Sequence, residues 1–254
     1  MAKALLIVEG ARVEPRFFRQ LAFLFEMQID IVPFCANIYQ LYKRLEEYGF
    51  DYDVKQALYE QNPSAEAKTL LSQRYAYTYL IFDCDAHDCG KRPNREAPLS
   101  VSEVVACNYT RLGKMIQYFT DETDPDRGKL YVNYPMMESL RDADDFYDES
   151  YADRRVDFAD LVRYKEIVSS RKLARFHIDK LSRDNVDALI RMNLCKLSKM
   201  LLGDWRLPDV DTYMGLHVQE AVFSAQRVLA GESLMDVINT SILLPVDYLG
   251  VMPV

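Results

Sequence analysis

The sequence predicts an α/β fold: a mostly parallel sheet flanked by helices over residues 1–145, with a helical C-terminal region, residues 146–254, packed on it. Three observations carry this. In the first half, continuous apolar runs, the mark of strands buried on both faces, alternate with segments of helical periodicity. After about residue 150 the strand signals stop. No Gly/Ser-rich linker separates the halves, so the helical part is expected to rest on the sheet.

The elements follow in order. Lys3–Val8 is an apolar run that ends in Glu9-Gly10. Glu14–Glu26 sets Phe17, Phe18, Leu21, Leu24 and Phe25 at helical spacing, and Pro15 suits a first helical turn. Gln28–Pro33 reads as a strand, and Asn37–Tyr48 as a helix closed by Gly49. Asp51–Asn62 and Ser64–Gln73 read as helices broken at Pro63. Tyr75–Phe82 is strongly β-prone, which makes its tyrosines strand residues rather than a stacking platform. A basic, Pro-containing loop, Lys91–Pro98, follows. Ser100 and Glu103 form a capping box for a helix running to about Phe119. Lys129–Tyr134 is another strand, and Pro135 opens a short helix that carries Glu138. Beyond it, Phe158–Val168, Lys172–Lys180, Ser182–Leu202, Asp211–Leu229 and Ser233–Leu243 all read as helices.

Composition narrows the function classes. The 12% aromatic content excludes intrinsic disorder, and the net charge of −8 excludes nucleic-acid binding by bulk charge. Asp121–Asp160, with 13 acids and 5 bases, holds the whole net charge; Arg154–Lys180 reverses it with 8 bases against 4 acids. Both read first as solvated helix faces. Cys35, Cys84, Cys89, Cys107 and Cys195 are an odd, scattered set that fits buried or incidental cytosolic thiols better than a disulfide framework. The apolar run Ala4–Val8 is too short for a signal-peptide core, and no stretch is long and apolar enough for a membrane span. A cytoplasmic protein without membrane contact is expected.

The acids that carry chemistry sit at strand ends. Glu9 follows one apolar run, and Asp83-Cys84-Asp85 another. Sites in open parallel sheets form outside the carboxyl ends of the strands. If the two strands are neighbours, Glu9, Asp83 and Asp85 meet at one rim. Crowded carboxylates repel and resist sharing a site without a cation, and Mg²⁺ or Mn²⁺ favours such oxygen ligands. His177 and His217 lie in predicted helices without ligand-spaced partners and read as structural.

Val8-Glu9-Gly10, then Glu14-Pro15 with Phe17-Phe18, and Asp83-x-Asp85 behind an apolar strand resemble the Toprim domain of topoisomerases, primases and OLD nucleases. Over residues 1–140 the pattern is similar to small stand-alone Toprim nucleases of bacterial defence and abortive-infection loci, the RloB-like group. The resemblance implies a Toprim-like sheet and roles for particular residues. Glu9 would be the Toprim glutamate, ligand or general acid/base, and Asp83 and Asp85 would hold Mg²⁺ or Mn²⁺. Tyr131-Val-Asn-Tyr-Pro-Met-Met-Glu138 is similar to an Asn-Pro-x-x-Glu element and would add Glu138 as a ligand, although Tyr134 interrupts it. Asp88 and Gly90 match the end of the Asp-x-Asp motif loosely. Glu14, His87 and Asp88 are expected around the site. There is no P-loop, no primase zinc finger and no topoisomerase tyrosine domain.

The mechanism implied is metal-assisted hydrolysis of phosphodiesters in RNA, such as tRNA, or DNA. Lys91, Arg92 and Arg95, with Arg12 and Arg16, are expected to meet phosphates beside the acids. An ATPase or other defence protein is the implied partner, and a homodimer is compatible. Two other readings compete. A haloacid-dehalogenase-like phosphatase would use Asp83 as nucleophile and Asp85 as acid/base. A non-catalytic Toprim-like scaffold would use the helices and the apolar tail Leu243–Val254 to dock a partner, unless that tail packs on its own domain.

Overall fold

The computed structural model describes residues 2–50, 53–60, 63–88, 100–120 and 127–252. Four strands form an all-parallel sheet in the order β2–β1–β3–β4: β1 (Ala4–Val8), β2 (Ile29–Pro33), β3 (Tyr77–Asp83) and β4 (Lys129–Asn133). Every residue of β1 is buried, as its unbroken Ala-Leu-Leu-Ile-Val run requires of a central strand covered on both faces. The crossovers carry α1 (Val13–Leu24), α2 (Ile38–Glu47), α3 (Val54–Glu60), α4 (Ala65–Leu71) and α5 (Val101–Phe119). Their starts are set by side chains. Asn37 accepts the Gln40 N–H, Ser64 accepts the Ala67 N–H, and Ser100 and Glu103 form the expected capping box. Gly49, at φ +67°, ends α2 in the left-handed region that glycine reaches without steric cost.

The C-terminal region is helical and packs on the sheet. It holds α6 (Tyr164–Ser169), α7 (Arg183–Leu202), α8 (Val210–Met214), α9 (Val218–Ala230) and α10 (Leu244–Leu249). It is less purely helical than expected. Arg155–Asp157 (β5) and Leu234–Asp236 (β6) pair antiparallel in a small second sheet, so Ser233–Leu243 is not a helix. Three-residue strands are too short to show a period. Phe158–Arg163 is a 3₁₀ helix, and Lys172–Lys180 forms two 3₁₀ turns, Leu173–Arg175 and Ile178–Lys180. Asp211–Leu229 breaks between α8 and α9, where His217 takes φ +44° as the residue before α9. Neither His217 nor His177 therefore lies inside a helix.

Other expectations are also corrected by burial. Tyr77 is 53% exposed and stacks on Tyr79, because β3 starts at the open end of the sheet. Cys35 is exposed. The acidic run is not all solvated: Asp142 is buried and accepts from the Tyr164 hydroxyl (3.0 Å) and the Arg171 guanidinium (2.8 Å). The tail packs on its own domain, with Leu243, Leu244 and Val246 in the core. No helix among the described residues is long and apolar enough to cross a membrane.

The C-terminal region also covers the edge of β4. The Val132 N–H donates to Gln219 Oε1 (3.1 Å), and the Val132 carbonyl accepts from Thr240 Oγ1 (2.8 Å). Tyr134 and Ile238 form an antiparallel bridge, and Lys129 pairs with Asp247 at 2.8 Å. An edge that would offer unpaired backbone groups is thus closed by side chains. A second tie lies deeper. Lys196, fully buried on α7, meets Asp236 at 2.8 Å and donates to the Ala152 and Arg154 carbonyls. Its burial lowers its pKa and Asp236 opposes that shift. Asp236→Ala would leave this ammonium buried without its carboxylate. The expected cost is about 3–5 kcal/mol in chemical unfolding, with most of it recovered in the Lys196→Met/Asp236→Leu double variant. A single-variant cost below about 1 kcal/mol would contradict this role.

Candidate functional site

The register of the sheet builds the site. Val8 pairs with Ile81 across β1 and β3, and Asp83 with Asn133 across β3 and β4. The Glu9 N–H continues the ladder to the Ile81 carbonyl (3.1 Å). Glu9 and Asp83 therefore leave adjacent strands at one carboxyl rim, and the Asp83 N–H donates to Glu9 Oε2 (3.0 Å). Past β3 the chain stays tied to β4's continuation: the Cys84 N–H reaches the Asn133 carbonyl and the Asp85 N–H the Pro135 carbonyl. Asp85 sits at φ +38°, a left-handed conformation that aspartate tolerates better than most residues. The 3₁₀ helix Met137–Arg141 then brings Glu138 to the same rim.

Glu9, Asp83 and Asp85 are each pushed upward, and their acidic neighbours add to what burial does. Burial first, then Asp85, pushes the Glu9 carboxyl up to about 8, against the hydrogen bond from Asp83 and the charge of Lys165; Glu14 adds to the rise. Burial raises Asp83 well above the carboxylate range, and Glu9, Asp85 and Glu138 raise it further. Asp85 is raised by burial, with Asp88 and Glu138 adding and His87 and Lys165 opposing. Such a group of acids cannot all ionise unless a cation joins them.

Each remaining expected residue has a place. Glu14 lays its carboxylate against Gly10. His87 acts on Asp85 through its charge. Asp88 ties the loop after β3: its carboxylate accepts from Asn37 Nδ2, and its carbonyl accepts from Asn108 Nδ2 (2.8 Å). Arg12, just before α1, and Arg16, on it, lie exposed. Lys91, Arg92, Arg95 and Gly90 lie outside the described residues.

Two residues join the site that the sequence did not single out as site residues. Asn133, fully buried, donates to Asp83 Oδ1 (3.3 Å) while its own Oδ1 accepts from the Ser241 N–H (3.2 Å). Lys165, on α6, pairs with Glu138 at 3.5 Å. Partial burial pulls its ammonium down, but Glu138, Asp83 and Asp85 more than offset this, and it ends above its ordinary value. The only signal for Lys165 was its membership of the basic Arg154–Lys180 segment.

The donor set is chemically that of a hard divalent cation: carboxylate oxygens from Glu9, Asp83, Asp85 and Glu138. Among the described residues no three His, Cys, Asp or Glu side chains converge as a finished metal-binding group. The fit therefore lies in the chemistry of the donors and in their shared repulsion.

Desolvation of these acids, with their repulsion added, costs stability. In the unfolded chain Glu9 titrates near 4.5, and in the fold near 8. The folded state binds the extra proton between these values, so stability falls as pH rises from about 4.5 to about 8. Glu9→Gln is expected to remove that loss. Its unfolding free energy should exceed the wild type's by roughly 2–4 kcal/mol at pH ~8.5 and match it near pH ~4.5. An equal difference at both pH values, measured by urea titration, would refute this account. Compared with known proteins, the chain matches no family model, no curated protein and no solved structure.

Proposed function

We propose that this chain is a Mg²⁺- or Mn²⁺-dependent nuclease that hydrolyses phosphodiester bonds in RNA or DNA. The observation that carries the reading is the group of half-buried, mutually repelling carboxylates that the register sets at the carboxyl ends of β1 and β3, with Glu9 held near 8. Structural acids are seldom gathered this way, because each added charge destabilises the fold.

Glu9, Asp83, Asp85 and Glu138 are the residues that would hold the cation. When bound, a divalent cation would polarise phosphoryl oxygens and lower the pKa of an attacking water. The chain's own groups supply the rest. Without a cation Glu9 carries a proton near neutrality, which a bound cation would displace, and the Asp83 N–H fixes its orientation. Asn133 Nδ2 and the Met137 N–H both donate to the Asp83 carboxylate and hold it in place. Lys165, 67% exposed, offers a positive charge beside the acids to which a phosphate can pair. The ATPase partner, the defence setting and a homodimer rest on the Toprim resemblance alone and belong to this proposal.

Purified protein is expected to cleave tRNA, single-stranded DNA or duplex DNA when Mg²⁺ or Mn²⁺ is added. Cleavage should stop in EDTA and fall at least a hundred-fold, by ~3 kcal/mol or more of lost transition-state stabilisation, in Asp83→Asn and Glu9→Gln. Because protons compete with the cation for Glu9, the cation concentration for half-maximal cleavage should fall as pH rises from about 6 to 8.5. Hydrolysis of small phosphomonoesters without strand cleavage would replace this reading with a phosphatase acting through Asp83. Inactivity on all these substrates would leave the scaffold.

A further inference from the structure

We propose that the exposed face of α1 is a binding track for a single strand of nucleic acid, leading away from the carboxylate rim. The proposal rests on the nuclease reading and concerns how the polymer is held. At about 100° per residue, Arg12, Arg16, Arg19 and Phe23 fall within an arc of about 60° on and just before this helix. All four are exposed, and Phe17, Phe18 and Leu21 on the opposite side are buried.

Arg183, which lies over Phe25 and donates to the Leu24 carbonyl at the end of this helix, pairs with Asp187. Among the described residues, Arg12, Arg16 and Arg19 have no carboxylate within ion-pair distance. The one acid of the helix, Glu14, is turned away against Gly10. In a chain of net charge −8, three unpaired guanidinium groups on one arc repel one another without a structural return. A path for a polyanion needs that arrangement. The stripe begins three residues after Glu9, and its cations widen sideways. The turn Ile178–Lys180 packs on α1, Gln20 Nε2 donates to the Leu181 carbonyl (3.1 Å), and Lys180 is exposed.

Phe23 decides the kind of strand. Its ring is 78% exposed at the far end of the stripe, about 16 Å from Arg12 by helix rise. A duplex keeps its base faces stacked inside, so it can use the arginines but not the ring. An unpaired base can stack on it. Phosphates and base faces are common to RNA and DNA, so both belong to the test.

The experiment is fluorescence anisotropy on the full chain in EDTA, where the strand is held but not cut. It compares one short labelled sequence as RNA, as DNA and as duplex. The single strands should bind more tightly than the duplex. Arg12→Ala/Arg16→Ala/Arg19→Ala should weaken binding about thirty-fold or more and flatten its salt dependence by a slope of about 2. Phe23→Ala should weaken single-strand binding roughly five- to fifty-fold and leave duplex binding unchanged, while Phe23→Trp retains it. Circular dichroism checks that these surface variants fold. Duplex bound as tightly as single strand, or Phe23→Ala or the triple variant without effect, would overturn the track. Binding of neither polymer would overturn it too. Cleavage that ignores all α1 variants refutes the track and spares the nuclease reading. Tight, α1-dependent binding with no cleavage in Mg²⁺ or Mn²⁺ refutes the nuclease and spares the track.

Discussion

Everything at the rim depends on the parallel register of β1 against β3. With Val8 opposite Ile81, the first residue past each strand's apolar run is a carboxylic acid, and the two acids become neighbours. A shift of one residue would turn every side chain of β1 to the other face and send Glu9 away from Asp83. The register is held because β1 is an apolar run buried along its whole length and flanked by Lys3 and Glu9, so a slip would carry one of these polar residues into the buried span. Hydrophobic burial, which has no chemical preference of its own, thus positions the most polar part of the molecule.

The same burial sets the properties of the acids. Desolvation is the leading cause of the upward shift at Glu9, Asp83 and Asp85, and mutual repulsion adds to it. The fold tolerates this through a few offsetting contacts. The Asp83 N–H steadies Glu9, Asn133 steadies Asp83, and Lys165 brings opposite charge to Glu138. Two of these three supports reach the rim by way of β4 and α6, so the sheet presents the acids and the later chain makes them bearable.

How much was legible in the sequence follows from what kind of signal each part leaves. β1, β3, β4 and the capping box at Ser100 and Glu103 were legible because burial on both faces and helix starts each have a short-range pattern. Glu9, Asp83 and Asp85 were legible for the same reason, since each directly follows such a run. The second half was harder. β5 and β6 are three residues each, and their pairing spans some eighty residues of chain, so no local period marks them. His217 bends the chain at φ +44°, a conformation its residue type does not announce. Lys165 is invisible for a different reason: its meeting with Glu138 depends on how α6 packs, which no spacing encodes. The acidic segment deceived in the opposite sense, because Asp142 reads as solvated and is buried among Tyr164, Arg154 and Arg171.

The sealing of β4 by Gln219, Thr240 and Ile238, and the hold of Ser241 on Asn133, bear on the order in which a ribosome makes this chain. The four acids are all translated by residue 138, yet the clasp behind Asp83 is missing until residue 241 has emerged. A nascent chain therefore carries the acids without their brace and leaves the flank of its sheet open. The brace of the rim and the cover of the sheet's flank therefore arrive together, between residues 219 and 241.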